Sequence, residues 1–207
     1  RSQASRLVLF GPSGAGKSLT LKAIAGLLRL DEGCIRVDGE PLVDTAIGVD
    51  LPPEQRRFGY LFQEYALFPH LTVRQNVAFG LQKGWRNPKR DVAHEAVERW
   101  LRALELQALV DRFPDELSGG QRQRTALARA LVSQPRALLL DEPFAALDAP
   151  LRQRLRTELA ELQMSFGLPM LLITHDEADV EAFADEVVQI EAGRVAGSQS
   201  EMVREPT

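Results

Sequence analysis

The sequence predicts an α/β protein: a mainly parallel sheet, an inserted α-helical lobe and a small antiparallel β element. Three observations predict it. Residues 7–10, 137–140 and 170–173 are short continuous apolar runs of the kind that buried parallel strands use. Helical spacing of apolar residues separates these runs, which is the alternation that covers a parallel sheet on both faces. Between about residues 72 and 132 helical spacing runs on without a strand signal, so that stretch reads as the lobe.

At 207 residues the chain can form one α/β domain, with its core at about 1–71 and 133–207. The net charge of −4 argues against a dedicated nucleic-acid binder, so no nucleic-acid partner is expected. Cys34 is the single cysteine, which excludes an intrachain disulfide and suits a reducing compartment. No apolar run approaches a membrane span, and the run before Gly11 is too short for a signal-peptide core. These features predict a cytoplasmic chain.

Taken in order, Leu7-Val8-Leu9-Phe10 is the first strand. Leu21, Ile24, Ala25 and Leu28 then mark one face of a helix. Cys34-Ile35-Arg36-Val37 alternates like an exposed strand, and Asp38-Gly39 signals a hairpin. Pro41, Gly48, Pro52 and Pro53 make 41–56 read as mostly irregular. Phe58-Gly59-Tyr60-Leu61-Phe62 is a second buried-strand candidate, ending at Gln63. In the lobe, Val92, Ala96, Val97, Trp100, Leu101 and Leu104 give an amphipathic helix. A further helix opens at Ser118, with Ala126, Leu127, Ala130 and Leu131 on its apolar face, and Pro135 closes it. Residues 151–164 are helical; Glu186-Val187-Val188-Gln189-Ile190 and Gly193-Arg194-Val195 read as a final strand pair.

Gly11-Pro12-Ser13-Gly14-Ala15-Gly16-Lys17-Ser18 joins the first strand to the first helix and reads G-x-x-x-x-G-K-S, a phosphate-cradling loop. Its glycines let successive N–H groups face one anion, and the helix N-terminus adds unpaired N–H groups. Lys17 can reach the β- and γ-phosphates, and the Ser18 hydroxyl can ligate Mg²⁺. The loop predicts binding of a nucleoside triphosphate, with Gly11 to Ser18 and the adjoining Leu19 as the binding set. The plainer alternative is a glycine-rich turn, which the flanking strand and helix disfavour.

Asp141-Glu142 ends the apolar strand at 137–140. Asp141 suits the Mg²⁺ held by Ser18, and Glu142 could accept a proton from an attacking water. The alternative is a strand that ends in acids to meet solvent. Ser118-Gly119-Gly120-Gln121 opens a helix with glycines and so offers a second anion site, or an ordinary N-cap. One triphosphate does not need two helix N-termini from one chain, so the second suits a nucleotide held by another copy. Thr174 and Glu177 have the spacing of a capping box, which would leave His175 a loop residue, and Asp148 before Pro150 has the look of a cap.

Leu117-Ser118-Gly119-Gly120-Gln121, then Leu140-Asp141-Glu142-Pro143, resembles the ATP-binding subunit of an ABC transporter, and the resemblance runs over nearly the whole chain. It implies a P-loop NTPase core that binds ATP and Mg²⁺ and hydrolyses ATP in a sandwich homodimer. Under it Gly11–Ser18 matches the Walker A loop, and 137–142 matches Walker B. Gln63 matches the Q-loop, at Mg²⁺ and the attacking water; Ser118, Gly119, Gly120 and Gln121 match the signature motif that serves the partner's nucleotide. Asp148 matches the D-loop at the dimer contact and His175 the switch histidine at the γ-phosphate. Membrane permease subunits are then partners, with a solute-binding protein acting indirectly, and the chain works at the cytoplasmic face of the membrane.

Within that family the loop sequence, Leu51-Pro52-Pro53-Glu54-Gln55-Arg56-Arg57-Phe58-Gly59-Tyr60, Phe62-Gln63 and Leu67-Phe68-Pro69-His70 resemble molybdate-importer ATPases, and sulfate, polyamine and sugar importers share much of this. Non-transport ABC ATPases of repair or translation are a rival; the former carry a long coiled-coil insertion and the latter two cassettes. A binding module without turnover is another, which the joint presence of Glu142 and His175 disfavours. The family's adenine-stacking aromatic precedes the phosphate loop, and many oxyanion importers carry a C-terminal β-domain. Both are expected to lie outside this sequence.

Overall fold

The computed structural model describes residues 1–82, 86–145, 147 and 149–200, and backbone alone at 199 and 200. The elements run β1 (Arg6–Phe10), α1 (Lys17–Ala25), β2 (Cys34–Val37), β3 (Glu40–Asp44), β4 (Val49–Asp50), α2 (Pro53–Arg56) and β5 (Phe58–Leu61). There follow α3 (Val73–Phe79), α4 (Glu95–Ala103), α5 (Gly119–Leu131), β6 (Ala137–Asp141), α6 (Ala149–Phe166), β7 (Met170–Thr174), α7 (Glu177–Phe183), β8 (Glu186–Glu191) and β9 (Arg194–Ser200).

A six-stranded sheet has the order β5-β6-β7-β1-β8-β9, parallel except for the final β8–β9 pair. β2, β3 and β4 form a separate antiparallel sheet. The predicted class therefore holds in all three parts: parallel core, helical stretch and small antiparallel element.

The two-residue period of the strands sorts the core onto two faces. Leu139, Ile173, Leu9 and Ile190 pack against Leu21 and Ala25 of α1. Val8, Leu138, Leu140 and Leu172 point the other way, into one apolar cluster with Leu127 and Leu131 of α5, Leu155 and Leu159 of α6 and Phe183 of α7. That cluster continues through Val73, Val77, Val97, Trp100 and Leu101, so α3 and α4 share the core of this face. Leu21, Leu140 and Leu172 are fully buried, each such side chain contributing about 2 kcal/mol through the area it removes from water.

Four expectations are corrected. Residues 41–56 are not mostly irregular but supply β3, β4 and α2. The second strand candidate, β5, is an edge strand of the large sheet and not an interior one. Leu28 does not continue the buried face of α1: Gly26 takes a left-handed cap (φ 82°) and ends the helix, leaving Leu28 exposed. Thr174 and Glu177 form no capping box; Asp176 is the N-cap of α7 and accepts the Ala178 N–H at 2.9 Å.

Candidate nucleotide-phosphate site

β1 runs straight into the glycine loop, and two glycines are required by the geometry. A Cβ on Gly11 would lie 2.2 Å from the carbonyl oxygen of Ile190 on β8, and Gly16 caps α1 with φ 95°. The loop is closed by Ala15 N–H on the Pro12 carbonyl (3.2 Å) and tied to the β8–β9 turn by Gly193 N–H on the Ala15 carbonyl (2.9 Å). Lys17, buried at 4% exposure, folds its ammonium over the loop and donates to the carbonyls of Gly11 (2.7 Å) and Pro12 (2.9 Å). Ser13, Gly14 and Leu19 line the exposed outer side of the loop and first turn.

Parallel neighbours bring the other strand ends alongside, as expected where ligands bind at the carboxyl ends of such a sheet. Ser18 Oγ donates to Asp141 Oδ1 at 2.8 Å, and the Tyr60 hydroxyl donates to Asp141 Oδ2 at 3.2 Å. Glu142 leaves β6 with a left-handed backbone (φ 45°), held by its N–H on the Ile173 carbonyl at 3.0 Å. That turn places Glu142 Oε1 3.8 Å from Lys17 Nζ and Oε2 3.3 Å from Nδ1 of the half-exposed His175. Phe10, Gly11, Pro12 and His175 then border an open cavity of about 280 Å³ with Gln189 and Glu191. The assembled groups are a cation at the start of a helix, a hydroxyl–carboxylate pair, a second carboxylate and an imidazole. Together they can bind an anionic phosphate and hold a carboxylate beside it as a proton acceptor.

Gln63 is exposed and lies two residues past the end of β5, the strand that pairs with β6. Ser118 and Gln121 form a complete capping box: Ser118 Oγ accepts the Gln121 N–H at 3.3 Å and Gln121 Oε1 accepts the Ser118 N–H at 2.9 Å. Gly119 and Gly120 start α5 against Leu147 and Leu151. α5 packs on the opposite face of the sheet from α1, so this helix start and the phosphate loop lie on different faces of the same chain. Asp148 lies outside the described residues.

Sequence reasoning missed Tyr60, the Lys17–Glu142 pair and the wall that β8 supplies. Nothing in the order of residues carries the first, because it depends on the β5–β6 register that sets Tyr60 opposite Leu139.

A glycine loop between the first strand and first helix, beside an acid-ended parallel strand, defines a phosphate-loop α/β domain. The chain belongs to the ABC transporter family, whose family model matches residues 2–145. It is 46% identical over 202 residues to the sulfate/thiosulfate import ATP-binding protein CysA of Synechocystis sp., covering 97% of this chain and 55% of that protein. It is 48% identical over 192 residues to the molybdenum import ATP-binding protein ModC of Rhodospirillum rubrum, covering 92% and 50%. Against the spermidine/putrescine import ATP-binding protein PotA of Nitratidesulfovibrio vulgaris it is 44% identical over 202 residues, covering 97% and 53%. The chain thus spans about half the length of these curated relatives. Among solved structures, the ATP-binding cassette MJ0796 in a dimeric post-hydrolysis state bound to ADP and Pi superposes with a TM-score of 0.77 at 26% identity, covering 98% of this chain and 88% of that one. A second dimeric structure of MJ0796 gives a TM-score of 0.78 at 28% identity.

Proposed function

We propose that this chain is the ATP-binding part of an ABC importer, hydrolysing ATP in a sandwich homodimer to drive solute uptake. The observation that carries the reading is the placement of Glu142 between Lys17 and His175, next to the Ser18–Asp141 pair. A structural glycine turn needs none of these.

Lys17 and the N–H groups of Gly14, Gly16, Lys17 and Ser18 bind the phosphates, with Gly11, Pro12, Ser13, Ala15 and Leu19 shaping the cradle. Ser18 and Asp141 offer a hydroxyl and a carboxylate, hard oxygen donors that fit Mg²⁺, and Gln63, past the end of β5, would add a third oxygen. Mg²⁺, when bound, supplies neutralisation of charge on the phosphates. Glu142 takes the proton of the attacking water, and His175 stabilises the charge that develops on the γ-phosphate. Ser118, Gly119, Gly120 and Gln121 serve the nucleotide of the second copy, since they face away from the loop of their own chain. Asp148 belongs to the contact between copies. Among the described residues no helix is long and apolar enough to cross a membrane. As an importer ATPase the chain works with permease subunits, which it meets at the cytoplasmic face of the membrane.

The solute is molybdate, on the resemblance of the phosphate loop and of residues 51–60; relatives named for sulfate, molybdenum and spermidine/putrescine match at comparable identity. Deleting the gene should abolish molybdate uptake and leave sulfate and putrescine uptake in place; the reverse pattern reassigns the solute. The chemistry is tested by Glu142→Gln, which keeps the shape and removes the base. ATP binding should persist while turnover falls by about 10²–10⁴. Turnover near that of the wild type would remove Glu142 from the reaction.

A further inference from the structure

A buried relay lies behind His175 that the chemistry above leaves unused. Arg156, in the middle of α6 and 6% exposed, donates Nε to Asp179 Oδ1 at 2.8 Å. Asp179, 3% exposed on α7, accepts the Thr174 hydroxyl on Oδ2 at 2.6 Å. With that proton committed, Thr174 Oγ1 turns its lone pairs to the Asp176 N–H and accepts it at 3.0 Å. Asp176 is held in turn: Oδ2 lies 3.3 Å from Arg152 Nη1 and 3.2 Å from Arg156 Nη2.

His175 stands between Thr174 and Asp176. Its flanking residues are clamped from α6 and α7, while its own ring is half-exposed and meets Glu142. A small cavity of about 40 Å³, bordered by Glu142, Thr174, His175 and Asp179, joins the relay to the carboxylate. Stability alone is a poor account of Arg156 and Asp179, because desolvating two charges is costly and an apolar pair of similar volume commonly serves a core as well.

We propose that Arg156, Asp179 and Thr174 are positioning residues that hold the His175 imidazole against Glu142. The proposal deepens the reading of His175 given above and rests on it for its kinetic consequence. The geometric claim stands apart from turnover.

Thr174→Val removes the hydroxyl at constant shape and leaves the Arg156–Asp179 pair intact; Thr174→Ser keeps the hydroxyl. The chain has three histidines, His70, His94 and His175, so the His175 ring signal in NMR is assigned by its loss in His175→Gln. In Thr174→Val that signal should move and broaden while those of His70 and His94 stay, and Thr174→Ser should return it. The double variant Arg156→Met/Asp179→Leu exchanges the buried charges for apolar side chains and should displace the same signal. An unmoved His175 signal in either folded variant overturns the proposal. In ATP hydrolysis, Thr174→Val should lower kcat by about tenfold to a hundredfold with nucleotide affinity changed less than about twofold. In a His175→Ala background the same substitution should cost nothing further, whereas an equal loss in both backgrounds overturns the relay. A wild-type chain without hydrolysis would sink the proposed function, and the NMR result would still decide the relay.

Discussion

Tyr60 and Ser18 grip the two oxygens of one carboxylate: the phenol donates to Asp141 Oδ2 at 3.2 Å and the Ser18 hydroxyl to Oδ1 at 2.8 Å. An edge strand thus fixes one side of the acid and the phosphate-loop helix the other. Burial, then the charge of Asp141 and its hydrogen bond, push the phenol pKa well above its ordinary value, so Tyr60 remains a donor at neutral pH.

Tyr60→Phe keeps the ring and removes the donor. With Asp141 assigned to Mg²⁺, the variant should need about threefold to tenfold more free Mg²⁺ for half-maximal ATP hydrolysis, the scale of one hydrogen bond. Hydrolysis measured against free Mg²⁺ checks this. An unchanged requirement would mean that the Tyr60 bond does not orient the carboxylate.

Ser118 and Lys17 lie on opposite faces of the sheet, which predicts complementation between damaged copies. Lys17→Ala disables one phosphate loop, and Ser118→Arg crowds the helix start proposed above to serve the partner's nucleotide. Each variant alone should be inactive. In a two-fold dimer of the mixture, one site joins an intact loop to an intact helix start, so about a quarter of wild-type hydrolysis should return on equal mixing. Ser118→Arg also removes a cap worth about 1 kcal/mol, and a thermal melt of the variant controls for that loss. No recovery from two folded variants would count against sites shared between copies.

Arg56 is among the largest fully buried side chains of the described residues and closes the far end of the phosphate-loop helix. It donates to the carbonyls of Ala23 (2.7 Å), Ile24 (3.0 Å) and Leu51 (2.6 Å) and pairs with Asp50 at 2.8 Å. Arg56→Met fills much of the space but strands those acceptors, at a cost of about 3 kcal/mol. For a chain of this size that lowers Tm by roughly 6–12 °C, read in a calorimetric melt. A shift under one degree would show that water satisfies the carbonyls equally well.

The strands and the phosphate loop were legible because their signals are local. Four apolar residues in a row with a glycine loop or an acid after them leave few alternatives to a parallel strand with its ligand end marked. The misreadings all concern relations that a periodic pattern does not hold. Pro41 and Pro53 look like breakers, yet Pro41 pairs with Arg36 where the β2–β3 register shifts, and Pro53 starts α2, where proline is tolerated. Leu28 continues a helical spacing that the left-handed cap at Gly26 has already ended. Tyr60 becomes part of the site through strand register, and His175 meets Glu142 through the backbone turn after Asp141. Thr174 has the spacing of a cap with Glu177, whereas its hydroxyl donates to Asp179.

Asp176 gives the last prediction, because it separates a charge from a cap. Burial raises its carboxyl pKa, but the Ala178 N–H, then Arg156 and Arg152, outweigh burial and leave it below its ordinary value of 3.8. A depressed folded pKa contributes stability that is present above the unfolded value and is lost as pH falls through the folded one. Asp176→Asn retains a good N-cap and removes the charge. The variant should therefore be less stable than wild type at pH 7, and the gap should close on acidification below pH about 4, where the wild-type carboxylate takes up its proton. Urea midpoints of both proteins, measured in steps from pH 7 to about pH 3, give the gap directly. A gap that stayed constant through that window would assign the effect of Asp176 to the shape of the cap, and the two arginines would then add nothing through its charge.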